Sequence, residues 1–180
     1  MDRLSFATVW LGGCSGCHMS FLDLDEWLIE LADRVDFVYS PFLDVKVYPE
    51  NVDVVLVEGA IANTEHLEMI RRVRRNTRLL VSFGDCAVTG NVTALRNALG
   101  GAEALLRQVY QDGADVQGQV PSETGLLPVL LDKVLPLHAV VKVDFYLPGC
   151  PPSPDKIRAV IEQAQTGGPP QPAGGEPKFG

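Results

Sequence analysis

The sequence predicts an α/β fold, a doubly wound parallel sheet with helices on both faces. Three observations carry it. Short apolar runs rich in β-branched residues alternate along the chain with stretches at helical spacing, most runs stop at glycine or proline, and no internal repeat divides the chain. With 180 residues, 46% of them apolar and 21% charged, the chain is long enough to bury one sizeable core and too apolar for a disordered segment.

Leu4 to Trp10 reads as a first buried strand, because Phe6, Ala7, Val9 and Trp10 form a short apolar run that ends before Gly12-Gly13. From Met19 to Ala32 the apolar residues Phe21, Leu24, Leu28 and Leu31 recur at helical spacing, which predicts one helix. Val35–Tyr39 is a second strand, ended by Pro41. Asp53–Val57 is a third, closed by Glu58-Gly59, with the near-continuous β-branched content of a strand covered on both faces. Thr64 to Arg75 is amphipathic, with Glu early and Arg late as the helix dipole favours. Thr77–Phe83 is a fourth strand, running into Gly84-Asp85-Cys86.

Beyond it, Val92–Leu99 reads as helix and Gly100-Gly101 as its stop. Short helices are expected over Glu103–Gln111 and Leu127–Leu135, with a Gly-rich loop between them. Lys142–Leu147 is the last strand. Ser153-Pro154 supplies an N-cap and a proline at the first helical position, for a helix reaching about Gln165. These elements make one domain over residues 1–165, followed by a Gly/Pro-rich tail over 166–180.

The formal charge of −8 and pI near 4.8 argue against a nucleic-acid binder, which needs a basic surface, and give no support to docking on anionic lipid. The N-terminus shows no basic stretch with an apolar run and cleavage site, and no run approaches the roughly 20 apolar residues that span a bilayer. A cytoplasmic location is therefore expected, with no nucleic-acid or membrane partner. There thiols stay reduced and serve as ligands rather than disulfides.

All four cysteines fall just past strand ends: Cys14 and Cys17 after the first strand, Cys86 after the fourth, Cys150 after the last. Parallel strands put these ends on one edge of a sheet, where ligands bind. Glycines flank each one (Gly12, Gly13, Gly16, Gly84, Gly90, Gly149), letting backbone amides approach anionic sulfurs. Pro148, Pro151 and Pro152 stiffen the last loop. One iron–sulfur cluster held by four thiolates is the reading that uses every cysteine. A structural zinc site would more often use two close pairs. A thioredoxin-like redox pair would leave Cys86 and Cys150 idle, and four buried thiols acting as small hydrophobes would not each need a glycine-flanked strand end. A flavin module at the same edge would want a Gly-x-Gly-x-x-Gly turn, which is missing after the first strand.

The segments Trp10-Leu11-Gly12-Gly13-Cys14-Ser15-Gly16-Cys17, Val57-Glu58-Gly59-Ala60, Gly84-Asp85-Cys86-Ala87-Val88-Thr89-Gly90-Asn91 and Leu147-Pro148-Gly149-Cys150-Pro151-Pro152 resemble the small subunit of [NiFe] hydrogenases. They resemble most closely the short cytoplasmic small subunit of bidirectional NAD-reducing hydrogenases, in order from about residue 5 to 165. The resemblance implies a flavodoxin-like fold and one proximal [4Fe–4S] cluster on Cys14, Cys17, Cys86 and Cys150. It implies a large-subunit partner with a NiFe(CN)2(CO) site, and diaphorase subunits carrying further Fe–S clusters, FMN and the NAD site. The implied overall reaction is H2 + NAD+ ⇌ NADH + H+.

By the same resemblance Glu58 matches an acidic residue near the cluster and the subunit interface, a candidate for proton transfer. His18 stands where many small subunits carry Glu soon after the second cysteine, and is a candidate for tuning the cluster or contacting the partner. Ser15 and Asp85, beside the ligands, are candidates for shaping its surroundings. Many relatives continue into a region holding further clusters. No cysteine follows Cys150 here, so the next redox centre is expected on another subunit. The related quinone-reductase subunit of respiratory complex I usually has two adjacent cysteines where this chain has Cys14-Ser15-Gly16-Cys17. The spaced pair favours hydrogenase.

Overall fold

The computed structural model describes residues 3–166. In chain order the elements are β1 (Leu4–Trp10), α1 (Gly16–Leu22), α2 (Trp27–Arg34), β2 (Val35–Tyr39), β3 (Val52–Glu58), β4 (Ile61–Asn63), α3 (Thr64–Arg75), β5 (Thr77–Phe83) and α4 (Asp85–Thr89). A 3₁₀ helix over Asn91–Ala98 follows, then α5 (Ala102–Arg107) running into a π turn over Gln108–Asp112, β6 (Leu130–Leu135), a 3₁₀ turn over Leu137–Ala139, β7 (Phe145–Leu147) and α6 (Pro154–Gln165). The expected tail lies, from residue 167 on, outside the described residues.

Five strands form one parallel sheet in the order β2-β1-β3-β5-β7. Period-two alternation divides its apolar side chains between two cores. Phe6, Val54, Leu56, Val81 and Phe83 face α1, α2 and α6 through Phe21, Trp27, Leu31, Ile157 and Ile161. Ala7, Val9, Val55, Val57 and Leu80 face the opposite side, where Ile70 and Val73 of α3 cover them. Each such large side chain contributes about 1.5–3 kcal/mol on burial, so β3, covered on both faces, is the sheet's main stabilising strand. The predicted doubly wound architecture is the one observed.

The last strand, expected over Lys142–Leu147, spans only Phe145–Leu147, and two predicted elements differ more. The single helix over Met19–Ala32 is two, α1 and α2, joined by a turn whose bonds reach back three residues: Leu24 N to Phe21 O at 3.3 Å and Asp25 N to Leu22 O at 3.1 Å. Asp25 takes φ 48°, which Asp tolerates better than most residues. The turn lets Leu24 and Trp27, together with Phe21 and Leu31, all enter the core.

The expected helix over Leu127–Leu135 is a strand. β6 pairs antiparallel with β4, with Ile61 opposite Leu135 and Asn63 opposite Leu130. Leucine favours helix intrinsically, but here an available strand edge wins. On the far side of β6 the Asn97 side chain copies a strand partner, with Nδ2 donating to Val134 O at 2.9 Å and Oδ1 accepting from Val134 N at 2.7 Å. Arg96 bridges both strands, donating to Ala62 O and Leu131 O at 3.1 and 2.7 Å. Ser153 precedes α6 as expected and Pro154 opens it, although the serine side chain makes no cap bond.

Because the sheet is parallel, the C-terminal ends of β1, β3, β5 and β7 share one rim. The chain leaves β1 for β2 on one side and returns to β3 on the other, so a crevice opens between the ends of β1 and β3. Four functional segments start there.

Candidate metal centre

Cys14 lies in the turn after β1, and Cys17 sits in the first turn of α1. Ser15 turns the chain with φ 65°, and its hydroxyl donates to Cys14 O at 2.5 Å instead of capping α1. The capping role passes to Glu58, at the end of β3 across the crevice. Its carboxylate accepts from the backbone N–H of Cys17 at 3.4 Å and of His18 at 2.9 Å. These are helix N–H groups that otherwise have no partner, and a carboxylate is the acceptor the positive end of a helix favours. Glu58 also bonds the His18 ring through Nδ1. The pair is almost wholly buried, at 1% exposure for Glu58 and 2% for His18. Among the described residues His18 Nε2 has no hydrogen-bond partner, and the ring rests edge-on against Phe42 and Phe83. His18 is therefore a buried group behind Cys17, not a surface contact in this chain.

Cys86 lies in the first turn of α4, after Gly84, and Cys150 follows Gly149 in the loop beyond β7. Bonds between residues distant in sequence tie these segments together. Gly84 N donates to Leu147 O at 2.8 Å and Asp85 N to Gly149 O at 2.9 Å, while the Asp85 carboxylate accepts from Gly149 N at 2.7 Å. Asp85 thus clamps the Cys86 turn to the Cys150 loop with its backbone and its side chain. Ser20 of α1 donates to Pro152 O at 2.6 Å, joining the Cys17 helix to the same loop. Gly12 and Ala60 exchange backbone bonds at 2.9 and 2.8 Å, closing the β1 end on the β3 end.

The Cys86 turn meets the Cys17 turn closely at Gly84. With φ 83° and ψ 162° it occupies a region essentially reserved for glycine. A Cβ there would stand 2.1 Å from Cys17 Sγ. The Cys86 turn therefore presses its bare backbone against the Cys17 thiol.

The electrostatics point the same way. Burial pushes the Cys17 thiol well above its ordinary range, and Glu58, Cys86, Cys14 and Cys150 push it further. Burial raises Cys86 too, followed by Cys14, Cys150, Glu58 and Asp85. The other three thiols act on Cys17, and Cys14 and Cys150 act on Cys86, so all four belong to one neighbourhood. A thioredoxin-like pair would want a depressed thiol pKa, and Cys17 is shifted the opposite way. Four thiols crowded beside a carboxylate, with a backbone amide aimed at one sulfur (Gly16 N lies 3.4 Å from Cys14 Sγ), are a donor set that becomes thiolate on binding a cationic inorganic core. Among the described residues no three His, Cys, Asp or Glu side chains close on the position of a single metal ion.

No sequence signal marks Ser20, which ties two loops through a hydroxyl with no motif around it. Asn91 is also absent from the sequence-based candidates, yet its Nδ2 stands 3.4 Å from Cys150 Sγ. The Gly90-Asn91 pair was the available signal, since glycine followed by asparagine marks a left-handed turn able to re-aim a side chain.

Comparison with known proteins gives consistent matches. The family described as NADH ubiquinone oxidoreductase, 20 Kd subunit, matches residues 14–164. The NAD-reducing hydrogenase HoxS subunit delta of Cupriavidus necator is 37% identical over 170 residues, covering 93% of this chain and 81% of that protein. An F420-non-reducing hydrogenase subunit of Methanothermobacter thermautotrophicus is also 37% identical, over 92% of this chain but 54% of that protein. The chain thus spans about half the length of several curated relatives. Among solved structures, a chain of an NAD+-reducing [NiFe]-hydrogenase in the H2-reduced state superposes with a TM-score of 0.90 at 40% identity, covering 96% of this chain and 97% of that one. A [NiFeSe]-hydrogenase chain from Dm. baculatum, at TM-score 0.56 and 18% identity, covers 92% of this chain and 63% of that one, and shares the fold.

Proposed function

This chain belongs to the NADH ubiquinone oxidoreductase 20 Kd subunit family and to the small subunits of [NiFe] hydrogenases, and we propose that it is the electron-transfer small subunit of an NAD-reducing [NiFe] hydrogenase, with Cys14, Cys17, Cys86 and Cys150 holding one [4Fe–4S] cluster. The observation that carries the proposal is the set of bonds that ties the three cysteine-bearing loops to one another at one sheet rim: Gly84 to Leu147, Asp85 to Gly149 and Ser20 to Pro152. A [4Fe–4S] cluster held there supplies one-electron transfer between neighbouring redox centres. The chain's own residues hold and shield it: Glu58 fixes the Cys17 turn, Asp85 fixes the Cys86 and Cys150 loops to each other, and Gly84 allows the close approach. The buried Glu58–His18 pair offers a proton a resting place between Oε2 and Nδ1 behind the Cys17 turn.

In the proposed complex, the large subunit carries the NiFe(CN)2(CO) site, and diaphorase subunits carry further Fe–S clusters, FMN and the NAD site. The reaction of the whole is H2 + NAD+ ⇌ NADH + H+, in the cytoplasm, where thiols stay reduced. Trp10, Phe42, Val92 and Leu95 are exposed at or beside the sulfur-bearing rim and give a partner apolar surface to cover. Among the described residues no helix is long and apolar enough to cross a membrane. The 40% identity and TM-score of 0.90 to a chain of an NAD+-reducing [NiFe]-hydrogenase support this reading.

Anaerobic purification of the chain with its partners, followed by assay of iron, sulfide, zinc and flavin, tests the reading. About four iron and four sulfide per chain, with a paramagnetic signal on reduction, is the expected result. Zinc in place of iron, or flavin without iron, overturns it.

A further inference from the structure

The short loop after α4 contains a device that the ligand set does not account for. Gly90 (φ 90°), between α4 and the following 3₁₀ helix, and Asn91 (φ 38°), which opens that helix, are two successive left-handed residues. Asparagine is among the few side-chain-bearing residues that take this conformation readily. The turn is also pinned: Thr89 Oγ1 donates to Asp85 O at 3.0 Å and accepts from Asn91 N at 3.3 Å. The result aims Asn91 Nδ2 at Cys150 Sγ, 3.4 Å away. A sulfur that ligates a metal is a thiolate and can only accept, so it selects the amide N–H, not the carbonyl oxygen, of this side chain.

We infer that Asn91 tunes the reduction potential of the centre held by Cys150, raising it through an N–H···S bond that strengthens as negative charge accumulates on the sulfur. The inference rests on Cys150 being an iron ligand as proposed above. Its physical basis is general: hydrogen bonds to cluster sulfurs favour the reduced, more negative state and lift the potential. Gly16 N is likewise near Cys14 Sγ, but it is a backbone donor that side-chain replacement leaves in place. Asn91 is a positioning residue with a removable donor, so its contribution can be measured.

The test compares the anaerobically purified complex carrying the wild-type chain, Asn91→Gly and Asn91→Asp. Glycine keeps the left-handed backbone and removes the donor. Aspartate keeps the shape and replaces the donor with a negative oxygen. Iron and sulfide are assayed first, and then the midpoint is measured by potentiometric titration with paramagnetic resonance detection. The expected result is unchanged iron with a lowered midpoint in Asn91→Gly. The one-electron equilibrium should shift roughly threefold to tenfold toward the oxidised form, about 59 mV at the tenfold limit, and further in Asn91→Asp. An iron-loaded Asn91→Gly with the wild-type midpoint overturns the inference. If the glycine variant loses its iron, an iron-loaded Asn91→Asp with a midpoint at or above wild type overturns it instead. Loss of iron from both variants also overturns it, leaving Asn91 a purely structural role. Absence of iron from the wild type refutes the proposed cluster itself, a different and distinguishable failure.

Discussion

The sulfur-bearing rim and the segment 99–129 are both irregular, rich in glycine and partly exposed, yet they are held in different ways. At the rim the bonds join residues far apart in sequence: Glu58 to the Cys17 turn, Ser20 to Pro152, Asp85 to Gly149. In the segment many bonds are local, such as Leu105 N to Gly101 O, Gly113 N to Gln108 O and the Arg107–Glu103 pair. Several of its apolar side chains stand in solvent, Val116 at 80% and Leu126 at 76% exposure. Irregular backbone is therefore not the same as loose backbone. A rim that must place four sulfurs is over-determined by long-range contacts, whereas a stretch that only returns the chain to β6 needs few.

Four measurements put this contrast at risk. The largest effect is expected from Cys86→Ala or Cys150→Ala, which should strip iron from the complex and abolish hydrogen-dependent NAD reduction. Full activity in either variant ends the ligand assignment.

The next test is a matched pair of glycines with the same φ of 83°. Gly84→Ala drives a Cβ into Cys17 Sγ, so iron content should collapse along with stability. Gly125→Ala meets nothing within 4 Å and should cost only the backbone strain, about 1–2 kcal/mol, with iron unchanged. Equal effects at both sites, read by thermal unfolding and iron assay, would erase the contrast between the regions.

Third, Glu58→Leu leaves the Cys17 and His18 N–H groups and the His18 ring buried without their acceptor, a loss of roughly 3 kcal/mol by the cost of orphaned polar groups. Leu126→Ser, in the exposed segment, should move the unfolding midpoint by less than about 0.5 kcal/mol equivalent.

The smallest effect is one of pH, at the junction of β4 and α3. Burial lowers the His66 pKa, against the raising influence of Glu65 and of a bond to the Ala60 backbone. Its Nδ1 accepts from Ala62 N at 3.3 Å, which requires the neutral ring. The unfolded chain therefore takes up a proton before the folded one does. Stability is complete above the unfolded value near 6.5 and declines as pH falls below it, toward the lowered folded value. His66→Gln should flatten that decline in a series of unfolding curves. An unchanged slope removes the assignment.

Much of the fold was legible because its signals are local. β1, β2, α3 and β5 fall where apolar runs, dipole-ordered charges and glycine stops put them. Where partners compete, local signals fail. Leu130–Leu135 has a helix-forming composition, and becomes a strand because β4 offers an edge and Asn97 completes the other side. The break between α1 and α2, where Asp25 takes φ 48°, lies inside a run of helical apolar spacing that gives no sign of it.

The candidate site divides along the same line. The chemistry of the four candidate ligands and the rim they share could be read from the chain, since residue type and strand-end position are written there and parallel strands fix which ends coincide. Their surroundings came from packing: Glu58 as the acceptor for the Cys17 turn, His18 as a buried partner to it, Ser15 as a turn residue, Asp85 as a clamp, and Asn91 as a donor to Cys150. Hydrogen bonds depend on direction and on tenths of an ångström, and those are fixed by contacts between segments up to 132 residues apart.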